Sequence, residues 1–299
     1  MLPDLAVVVV TFNSSDVIEG LISSLPAALG QLVADVVIVD NGSTDDTVER
    51  AERLPGCRVV RAENRGYSAG INRGIREAEP AGAVLILNPD VRLAAGSVIE
   101  MMKALQTPGT GIVAPQVRTE DGEIFLSLRR EPTILRGIGL NRTGIPIFSE
   151  YVSEKESYQR AVTVDWALGA VLLVSAACQE AVGEWDESYF LYSEETQFCL
   201  QAKDLGFATR YEPSAVAVHI GGSSGRNEIT HAMQVVNRIR LYARRHGAVS
   251  SYAYLGANLL SEFSWVLRGR TESWFAMKAL IRPRLRPAQL GCSDRLLPT

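Results

Sequence analysis

The sequence lacks long apolar runs, contains little cysteine and carries no large net charge, and each deficit excludes a class of protein. No hydrophobic stretch reaches the roughly 20 residues that a helix needs to cross a bilayer, and no basic segment precedes an apolar one at the N-terminus. We therefore expect a cytoplasmic protein, at most attached to one face of a membrane. The four cysteines among 299 residues have no metal-type spacing, so we expect reduced thiols rather than a zinc site or a disulfide framework.

The net charge of −4 conceals an uneven distribution along the chain. Residues 1–225 hold 30 acidic and 18 basic side chains, whereas residues 226–299 hold 4 acidic and 12 basic ones. We interpret these parts as two domains, the second a basic, mainly helical C-terminal extension, and we expect no nucleic-acid partner. The arginines of residues 237–246 admit three interpretations: a peripheral contact with the inner face of a membrane, a helical appendage packed on the acidic domain, or closure of one or more of them over the phosphates of a bound ligand.

The first 90 residues alternate β-like runs with helical patterns. This alternation predicts an α/β fold with a mainly parallel, doubly wound sheet. Four apolar or β-branched runs are expected to be strands, at 6–11, 36–40, 58–61 and 83–87. Helices are expected between them, at about 17–25, after Asp45 and at about 68–77.

The second half of the chain is less regular. Residues 129–160 are polar and contain prolines and glycines, so we expect a long loop there. Trp166 and Leu168 are expected to be buried. The elements expected after them are a helix at 194–205, strands at 208–211 and 215–219, and a helix from about 229.

Three of the strand-like runs end at or just before a side chain that can bind a cation: Asp40, Asp90 and His219. In an open α/β sheet, ligands bind outside the carboxyl ends of the strands. Hard divalent cations prefer sites rich in oxygen ligands. These endings therefore suggest a site at one edge of the sheet, with a hard cation as a member.

Five segments of the chain carry motifs: VVVVTFN at 7–13, VDNGSTD at 39–45, NRGYSAGINRG at 64–74, NPD at 88–90 and DESYFLYSEE at 186–195. Each alone is weak evidence, but in this order and spacing they resemble a family 2 glycosyltransferase of the GT-A fold. The resemblance covers about residues 5–225, which we interpret as the catalytic domain. Within the family, the layout is most similar to bacterial rhamnosyltransferase-type enzymes of cell-wall and capsule assembly.

The resemblance implies a nucleotide-sugar donor and the residues that bind it. Asp40 would accept a hydrogen bond from the imide nitrogen of uracil or thymine; the alternative is a carboxylate that caps its own turn. Arg65 offers charge-assisted hydrogen bonds to phosphate, and glycines beside it let the backbone approach a ligand. Trp166 would lie beside the donor sugar, unless it is a core residue. The implied donor-binding residues are Thr11, Asn13, Asp40, Asn64, Arg65, Gly66, Gly70, Asn88, Asp90 and Trp166.

The resemblance also implies a divalent cation, Mg²⁺ or Mn²⁺, on the diphosphate of the donor. Asp90 would be its ligand and His219 a second one, and the cation would neutralise the leaving group. Asn88 stands where the family commonly has an aspartate. The site therefore holds one carboxylate fewer, which predicts weaker metal binding, and Asn88 could instead bond a ribose hydroxyl.

The catalytic residues implied by the resemblance are the adjacent acids Glu194 and Glu195. At a helix start their side chains point about 100° apart, so at most one faces the sugar. The second acid, Glu195, corresponds to the general base of an inverting displacement, where the family usually has aspartate, and Gln197 replaces an acid often found two residues later. One alternative is that both glutamates only complement the helix dipole, and Asp186 and Glu187 are nearby acids that could act as the base instead.

The function expected is therefore an inverting transfer of a sugar, rhamnose first, from a dTDP- or UDP-sugar donor. The acceptor would be a hydroxyl of a glycan or a lipid-linked glycan in cell-envelope polysaccharide synthesis. Two other classes remain open. A nucleotide-sugar-binding protein without turnover would explain the departures at Asn88, Glu195 and Gln197. A nucleotidyltransferase would also use such a sheet, although residues 11–15 are not the glycine-rich, basic loop that it normally has.

Overall fold

The computed structural model describes residues 3–221, 227–292 and 296–297. Within these ranges a nine-stranded sheet lies between two layers of helices, and three further helices follow it. The predicted domain boundary between residues 225 and 226 lies outside the described residues.

The sheet is mainly parallel, with its strands in the order β3-β2-β1-β4-β10-β6-β11-β5 and β8 paired to β11. β10, β5 and β8 run against the other six strands, and β7 and β9 form a separate ribbon. The strands are β1 (Leu5–Thr11), β2 (Ala34–Asp40), β3 (Cys57–Arg61), β4 (Ala83–Leu87), β5 (Val91–Leu93), β6 (Thr110–Arg118), β7 (Leu128–Arg129), β8 (Val162–Val164), β9 (Trp166–Ala167), β10 (Val171–Ser175) and β11 (Ala208–His219).

Helices cover both faces of the sheet because its central strands are apolar on both sides. In β1, Val7 and Val9 pack into one core with α1 and α4, while Val8 and Val10 pack into another with α3, α6 and α7. The predicted α/β fold with a mainly parallel, doubly wound sheet is confirmed. The helices are α1 (Ile18–Leu29), α2 (Thr47–Ala51), α3 (Tyr67–Glu77), α4 (Ser97–Leu105), α5 (Ile134–Gly137), α6 (Ala176–Val182), α7 (Glu194–Asp204), α8 (Glu228–Arg245), α9 (Ala248–Val266) and α10 (Thr271–Ile281).

Some predicted elements differ from the structure. The region 129–160 is not a plain loop, because α5 and three short 3₁₀ turns lie within it. The two strands predicted at 208–211 and 215–219 are one strand, β11, with an irregularity between Glu212 and Val216. Trp166 and Leu168 are half-buried rather than buried, because Leu168 lies at the margin of one of the two cores and Trp166 at the margin of the other.

The helices after the sheet form a helical C-terminal extension with its own core, as predicted. Arginines of α8 pair with acids of the first 225 residues: Arg238 with Glu150 at 3.2 Å and Arg245 with Asp204 at 2.7 Å. For these side chains the structure favours the packed appendage over a membrane contact. No helix in the described ranges has both the length and the apolar character that a transmembrane span requires.

Candidate active site

Asp90 and His219 come together at the edge of the sheet, as their strand endings predict. β5 begins directly after Asp90 and pairs antiparallel with β11, which places Val91 opposite His219. His219 Nε2 lies 3.2 Å from Asp90 Oδ1, and Asp90 is buried. In the part of the chain that is described, no three His, Cys, Asp or Glu side chains are grouped as metal ligands, so this pair would need further ligands from a bound molecule.

Tyr67 links this edge to the two glutamates, although its role could not be assigned from the sequence. Its hydroxyl donates a hydrogen bond to Asn88 Oδ1 at 2.7 Å. Burial raises its pKa well above the usual range, and the charges of Glu194, Glu195 and Asp90 add to the effect. The phenol therefore stays protonated and lies among the three carboxylates. The motif NRGYSAG contains this residue, but its spacing gave no reason to single it out.

Glu194 and Glu195 begin α7, as predicted, in a poorly solvated environment. Burial, and then the charge of Glu195, raises the pKa of Glu194 to about 8. Burial also raises the pKa of Glu195, against which its backbone hydrogen bonds and the charge of Arg129 act. Within the described chain, Oε2 of each glutamate lacks a hydrogen-bond partner. Such atoms are costly to bury, which is typical of functional rather than structural carboxylates.

A small cavity opens beside Glu195. Its volume is about 50 Å³, enough for one or two waters, so a sugar ring would need the walls to move apart. Trp166 forms part of the wall and is held there by a hydrogen bond from its Nε1 to the carbonyl oxygen of Arg130 at 3.0 Å. The cavity is lined by Pro132, Glu150, Trp166, Tyr192, Ser193, Glu195, Thr196, Gln234, Arg238 and Leu241. A larger cavity of about 540 Å³ near β8 contains none of the predicted site residues.

Asp40 caps the turn after β2, which is the alternative that the sequence left open. Its Oδ2 accepts hydrogen bonds from the backbone N–H groups of Gly42 and Ser43 at 3.1 and 2.9 Å. Its Oδ1 accepts one from Thr11 Oγ1 at 3.0 Å and another from the Ser43 hydroxyl. A contact of Asp40 with a base therefore stays a prediction. Asn13 is exposed beside this turn and accepts a hydrogen bond from the Thr44 N–H at 2.8 Å.

The loop before α3 has contacts that the sequence did not suggest. Arg65 is exposed and pairs with Glu187 at 2.9 Å, while the exposed Asn64 accepts a hydrogen bond from the Gly66 N–H at 3.2 Å. We expected the glycines to admit a ligand, but a Cβ on Gly66 would lie 2.4 Å from the carbonyl oxygen of Phe190. The structure thus gives this glycine a packing reason.

Gly70 also has a packing reason. A Cβ there would lie 2.5 Å from Val10 Cγ1 and 3.2 Å from Asn41 Nδ2. Its small size lets α3 approach β1, and its predicted contact with a donor stays a prediction.

The turn that leads into α7 has an unusual backbone. Phe190, Tyr192 and Ser193 all have positive φ angles, at 59°, 69° and 77°. Such angles cost on the order of 1–3 kcal/mol each in residues other than glycine, so surrounding contacts must hold them. Asn237 of α8 supplies such contacts and was missed by the sequence reasoning, since a single asparagine in a helical pattern carries no signal of its partners.

Comparison with known proteins identifies the family. Residues 6–160 match the model of glycosyl transferase family 2. The N-acetylglucosaminyl-diphospho-decaprenol L-rhamnosyltransferase of Mycobacterium tuberculosis is 33% identical over 248 residues, which are 76% of this chain and 80% of that protein. The low-salt glycan biosynthesis hexosyltransferase of Haloferax volcanii is 30% identical over 68% of this chain and 62% of its own length.

Solved glycosyltransferase structures share the fold. The mannosyltransferase of Pyrobaculum calidifontis in complex with GDP-Man and Mn²⁺ has a TM-score of 0.59 at 17% identity and covers 97% of this chain and 82% of its own. GalNAc-T7 with UDP, GalNAc and Mn²⁺ has a TM-score of 0.62 at 14% identity, and the match covers 80% of this chain and 47% of that protein. The chain therefore belongs to glycosyltransferase family 2 and has the GT-A fold.

Proposed function

We propose that this glycosyltransferase is inverting and metal-dependent, and that it moves rhamnose from a dTDP- or UDP-linked donor to a hydroxyl of a lipid-linked glycan. The observation that carries the proposal is the pairing of Asp90 with His219 at 3.2 Å, together with Tyr67, whose hydroxyl is bonded to Asn88 and which is influenced by the charges of Asp90, Glu194 and Glu195. One pair suits a cation on the diphosphate, and the other suits a base at the acceptor hydroxyl.

Asp90 and His219 fit a divalent cation that is shared with the donor. A buried carboxylate oxygen and an imidazole nitrogen 3.2 Å apart supply two protein ligands, and Mg²⁺ and Mn²⁺ sites commonly take the remaining ones from phosphates and water. When bound, the cation would neutralise charge on the departing nucleoside diphosphate. Asn88 brings no charge and already accepts a hydrogen bond from Tyr67, so the protein part of this site carries one formal negative charge.

Glu195 suits the general base better than Glu194. Burial raises the pKa of both glutamates, but the charge of Glu195 adds to the rise at Glu194, whereas the positive charge of Arg129 acts against the rise at Glu195 and favours its ionised form. The acceptor hydroxyl would give its proton to Glu195 while its oxygen forms a bond to the anomeric carbon. The bond from that carbon to the diphosphate breaks on the opposite face, and the nucleoside diphosphate leaves with the electron pair.

The nature of the substrates is proposed from the relatives. The Mycobacterium tuberculosis protein is named for rhamnosyl transfer to N-acetylglucosaminyl-diphospho-decaprenol, which supports a rhamnose donor, a lipid-linked acceptor and a role in cell-envelope polysaccharide synthesis. A cytoplasmic location at the inner face of the membrane is part of the same proposal. The division into a catalytic domain, 1–225, and an extension, 226–299, is also part of the proposal. The extension would share the cavity beside Glu195, because α8 contributes Gln234, Arg238 and Leu241 to its lining.

A donor screen tests the proposal. The purified protein would be heated with a panel of dTDP-, UDP- and GDP-sugars, with and without Mn²⁺, and the stabilising donors would then be used in transfer assays with a lipid-linked N-acetylglucosamine acceptor. We expect the largest Mn²⁺-dependent rise in Tm, and transfer, with dTDP-rhamnose. Preferred binding of a GDP-sugar would overturn the donor assignment. Binding without transfer would favour the alternative without turnover, and pyrophosphate release from a nucleoside triphosphate would favour a nucleotidyltransferase.

A further inference from the structure

Helix α9 exposes an apolar face and buries several polar side chains, unlike an ordinary surface helix, whose exposed face is polar. Its buried residues include Ser251, Asn258 and Glu262. Its outer side chains are between 48% and 87% exposed: Val249, Tyr252, Leu260, Phe263 and, at the C-cap, Leu267. At about 100° per residue these five fall within an arc of roughly 80°, so they form one apolar stripe.

No charged side chain interrupts the stripe. The only charged residue between Ala248 and Val266 is Glu262, and it is buried against His231 of α8, with His231 Nε2 2.9 Å from Glu262 Oε2. A helix of 19 residues with no exposed charge is costly to leave in water, because apolar area removed from water is worth roughly 25 cal/mol per Å².

A neighbouring loop enlarges the apolar surface. A Cβ on Gly139 would lie 2.4 Å from Ser261 Oγ, and the Arg142 guanidinium lies 4.8 Å from the ring centre of Trp265. Residues 138–148 therefore run beside the C-terminal half of α9. This loop exposes three more large apolar side chains: Leu140, Ile145 and Ile147. Together the stripe and these three residues are called the α9 surface.

Uncompensated cations lie around the α9 surface. Arg142 and Arg268 both contact the Trp265 ring, and Arg270 follows two residues later. All three are exposed, and none takes part in the ion pairs found among the described residues. This contrasts with Arg238 and Arg245 of α8, which pair with acids of the protein.

We propose that the α9 surface docks on an anionic phospholipid bilayer. An apolar helical face flanked by arginines suits the boundary between acyl chains and negatively charged headgroups, and α9 would lie in the plane of that boundary. A second copy of this chain is the less suitable occupant. A two-fold contact would bring the same patch of both copies together, with its unpaired arginines and without acids to match them.

The position of α9 connects this surface to the proposed acceptor. Tyr254 lies on the buried face of α9, and its pKa is raised by burial and then by the charge of Glu150, while Arg238 acts against the rise. Glu150 and Arg238 line the cavity beside Glu195. α9 also packs on α8, where Glu262 lies 2.9 Å from His231, and α8 contributes Gln234, Arg238 and Leu241 to the cavity, so α8 connects the bilayer-facing helix to it. In this respect the inference rests on the proposed function, since a lipid-linked acceptor would reach the site from the bilayer.

Vesicle sedimentation of the full chain, without donor or acceptor, tests the docking separately from transfer. We expect binding to vesicles that contain phosphatidylglycerol and much weaker binding to pure phosphatidylcholine. Leu260→Ser with Leu267→Ser should weaken binding at least about tenfold, and Arg268→Gln with Arg270→Gln about fivefold per arginine. Because all four side chains are exposed, the Tm of both variants should match that of the unmodified protein.

Matched controls use exposed residues that lie far from α9 in the sequence. Val33→Ser and Arg53→Gln remove one exposed apolar and one exposed, unpaired basic side chain of the first domain, and neither should change binding. The proposal is overturned if the protein ignores vesicles with phosphatidylglycerol, or if the leucine and arginine variants bind them as well as the controls do. A dimer in solution that the leucine variant dissociates, without any vesicle binding, would show that a second copy covers the surface instead.

Discussion

Asn237 Nδ2 on α8 lies 2.7 Å from the carbonyl oxygen of Tyr189, in the turn that leads into Glu194 and Glu195. The same nitrogen also donates to the carbonyl oxygens of Leu191 and Tyr192 at 2.9 and 3.1 Å. Asn237 is fully buried, so these contacts are shielded from water. The C-terminal extension therefore helps to fix the backbone that orients the candidate base.

Replacement of Asn237 by alanine should lower turnover more than it lowers donor binding. Without the amide, the turn loses the contacts that hold its positive φ angles, and a displacement of about 1 Å at a reacting group can cost about 10²-fold in rate. We expect kcat to fall roughly ten- to a hundredfold while KM for the donor changes little. Steady-state kinetics measures both quantities.

Asn258→Ala is the matched control for this variant. Asn258 is also buried, but among the described residues its amide donates to Tyr254 of its own helix, at 2.9 Å, and not to the turn before α7. Loss of either amide should lower stability by about 1–3 kcal/mol. Only Asn237→Ala should lower kcat, and an equal loss of kcat in the two variants would show that Asn237 acts through stability alone.

Asp90→Ala should abolish the gain in nucleoside diphosphate affinity that Mn²⁺ or Mg²⁺ provides. His219→Ala should weaken the gain without removing it, since the carboxylate remains. Calorimetric titration of dTDP and UDP with and without the cation measures the effect. Asp16→Ala removes an exposed carboxylate near the first strand and should leave the gain unchanged. A folded Asp90→Ala protein with a normal metal response would refute the assignment.

Asp40→Asn should remove a preference of the protein for uridine or thymidine diphosphate over guanosine diphosphate, if Asp40 binds the base. It should also lower stability by about 1–3 kcal/mol, because the amide NH₂ replaces one carboxylate oxygen and cannot accept either the hydrogen bonds from the Gly42 and Ser43 N–H groups or the one from Thr11. Thr11→Val separates the two effects, since it removes one of these bonds and keeps the carboxylate. Tightest binding of a guanine nucleotide to the unmodified protein would contradict the prediction.

Stability should fall as the pH rises from about 4.5 to about 8, because the pKa of Glu194 is raised across that interval. In this window the folded protein holds a proton that the unfolded chain releases. The free energy of unfolding therefore decreases with pH, and the contribution present below about 4.5 is lost as the pH passes about 8. The raised pKa of Glu195 acts in the same direction.

Glu194→Gln should flatten this dependence, because a neutral amide replaces the group that must ionise. Calorimetry across the pH range measures this effect. The Tm of the variant should increase relative to that of the unmodified protein as the pH rises. Glu63→Gln, at an exposed glutamate, should reproduce the original profile. A Glu194→Gln profile as steep as the original would mean that other groups set the pH dependence.

The sequence predicted the strand ends of the site better than the contacts around them. β1, β2 and β4 are buried on both faces, so their continuous apolar runs made Asp40 and Asp90 visible as endings. β11 was read as two strands because polar residues around Pro213 interrupt it where its pairing with β6 shifts. A repeating apolar pattern shows which face of a helix or strand is buried, but it does not show which other elements that face contacts.

The contacts that define the candidate site join residues far apart in the chain. Tyr67 and Asn88, Arg65 and Glu187, and Asn237 and the turn before α7 meet through tertiary packing. The charge contrast between the two parts left a membrane contact and a packed appendage open, and the pairs of Arg238 and Arg245 with acids favour the appendage for these side chains. The inverted burial of α9 was not foreseen, because a helical apolar pattern does not show which face meets the core.

Glu195→Gln should lower turnover by about 10²–10⁴-fold, the usual contribution of general-base catalysis. Donor affinity should barely change, because the proposed role of Glu195 is at the acceptor hydroxyl. Glu194→Gln should lose less activity, since a side chain that already holds a proton at neutral pH resembles the amide that replaces it. Single-turnover transfer with both variants, at matched donor saturation, measures the chemical step apart from binding.

The stereochemistry of the product completes this test. A single displacement with the base on the face opposite the diphosphate inverts the anomeric carbon, and NMR of the product reports its configuration. Inversion together with the larger loss at Glu195 is the expected result. A retained configuration would require a covalent or front-face route and would exclude the proposed role of Glu195. Inversion together with a larger loss of activity in the Glu194 variant would instead identify Glu194, the more deeply buried acid of the pair, as the base.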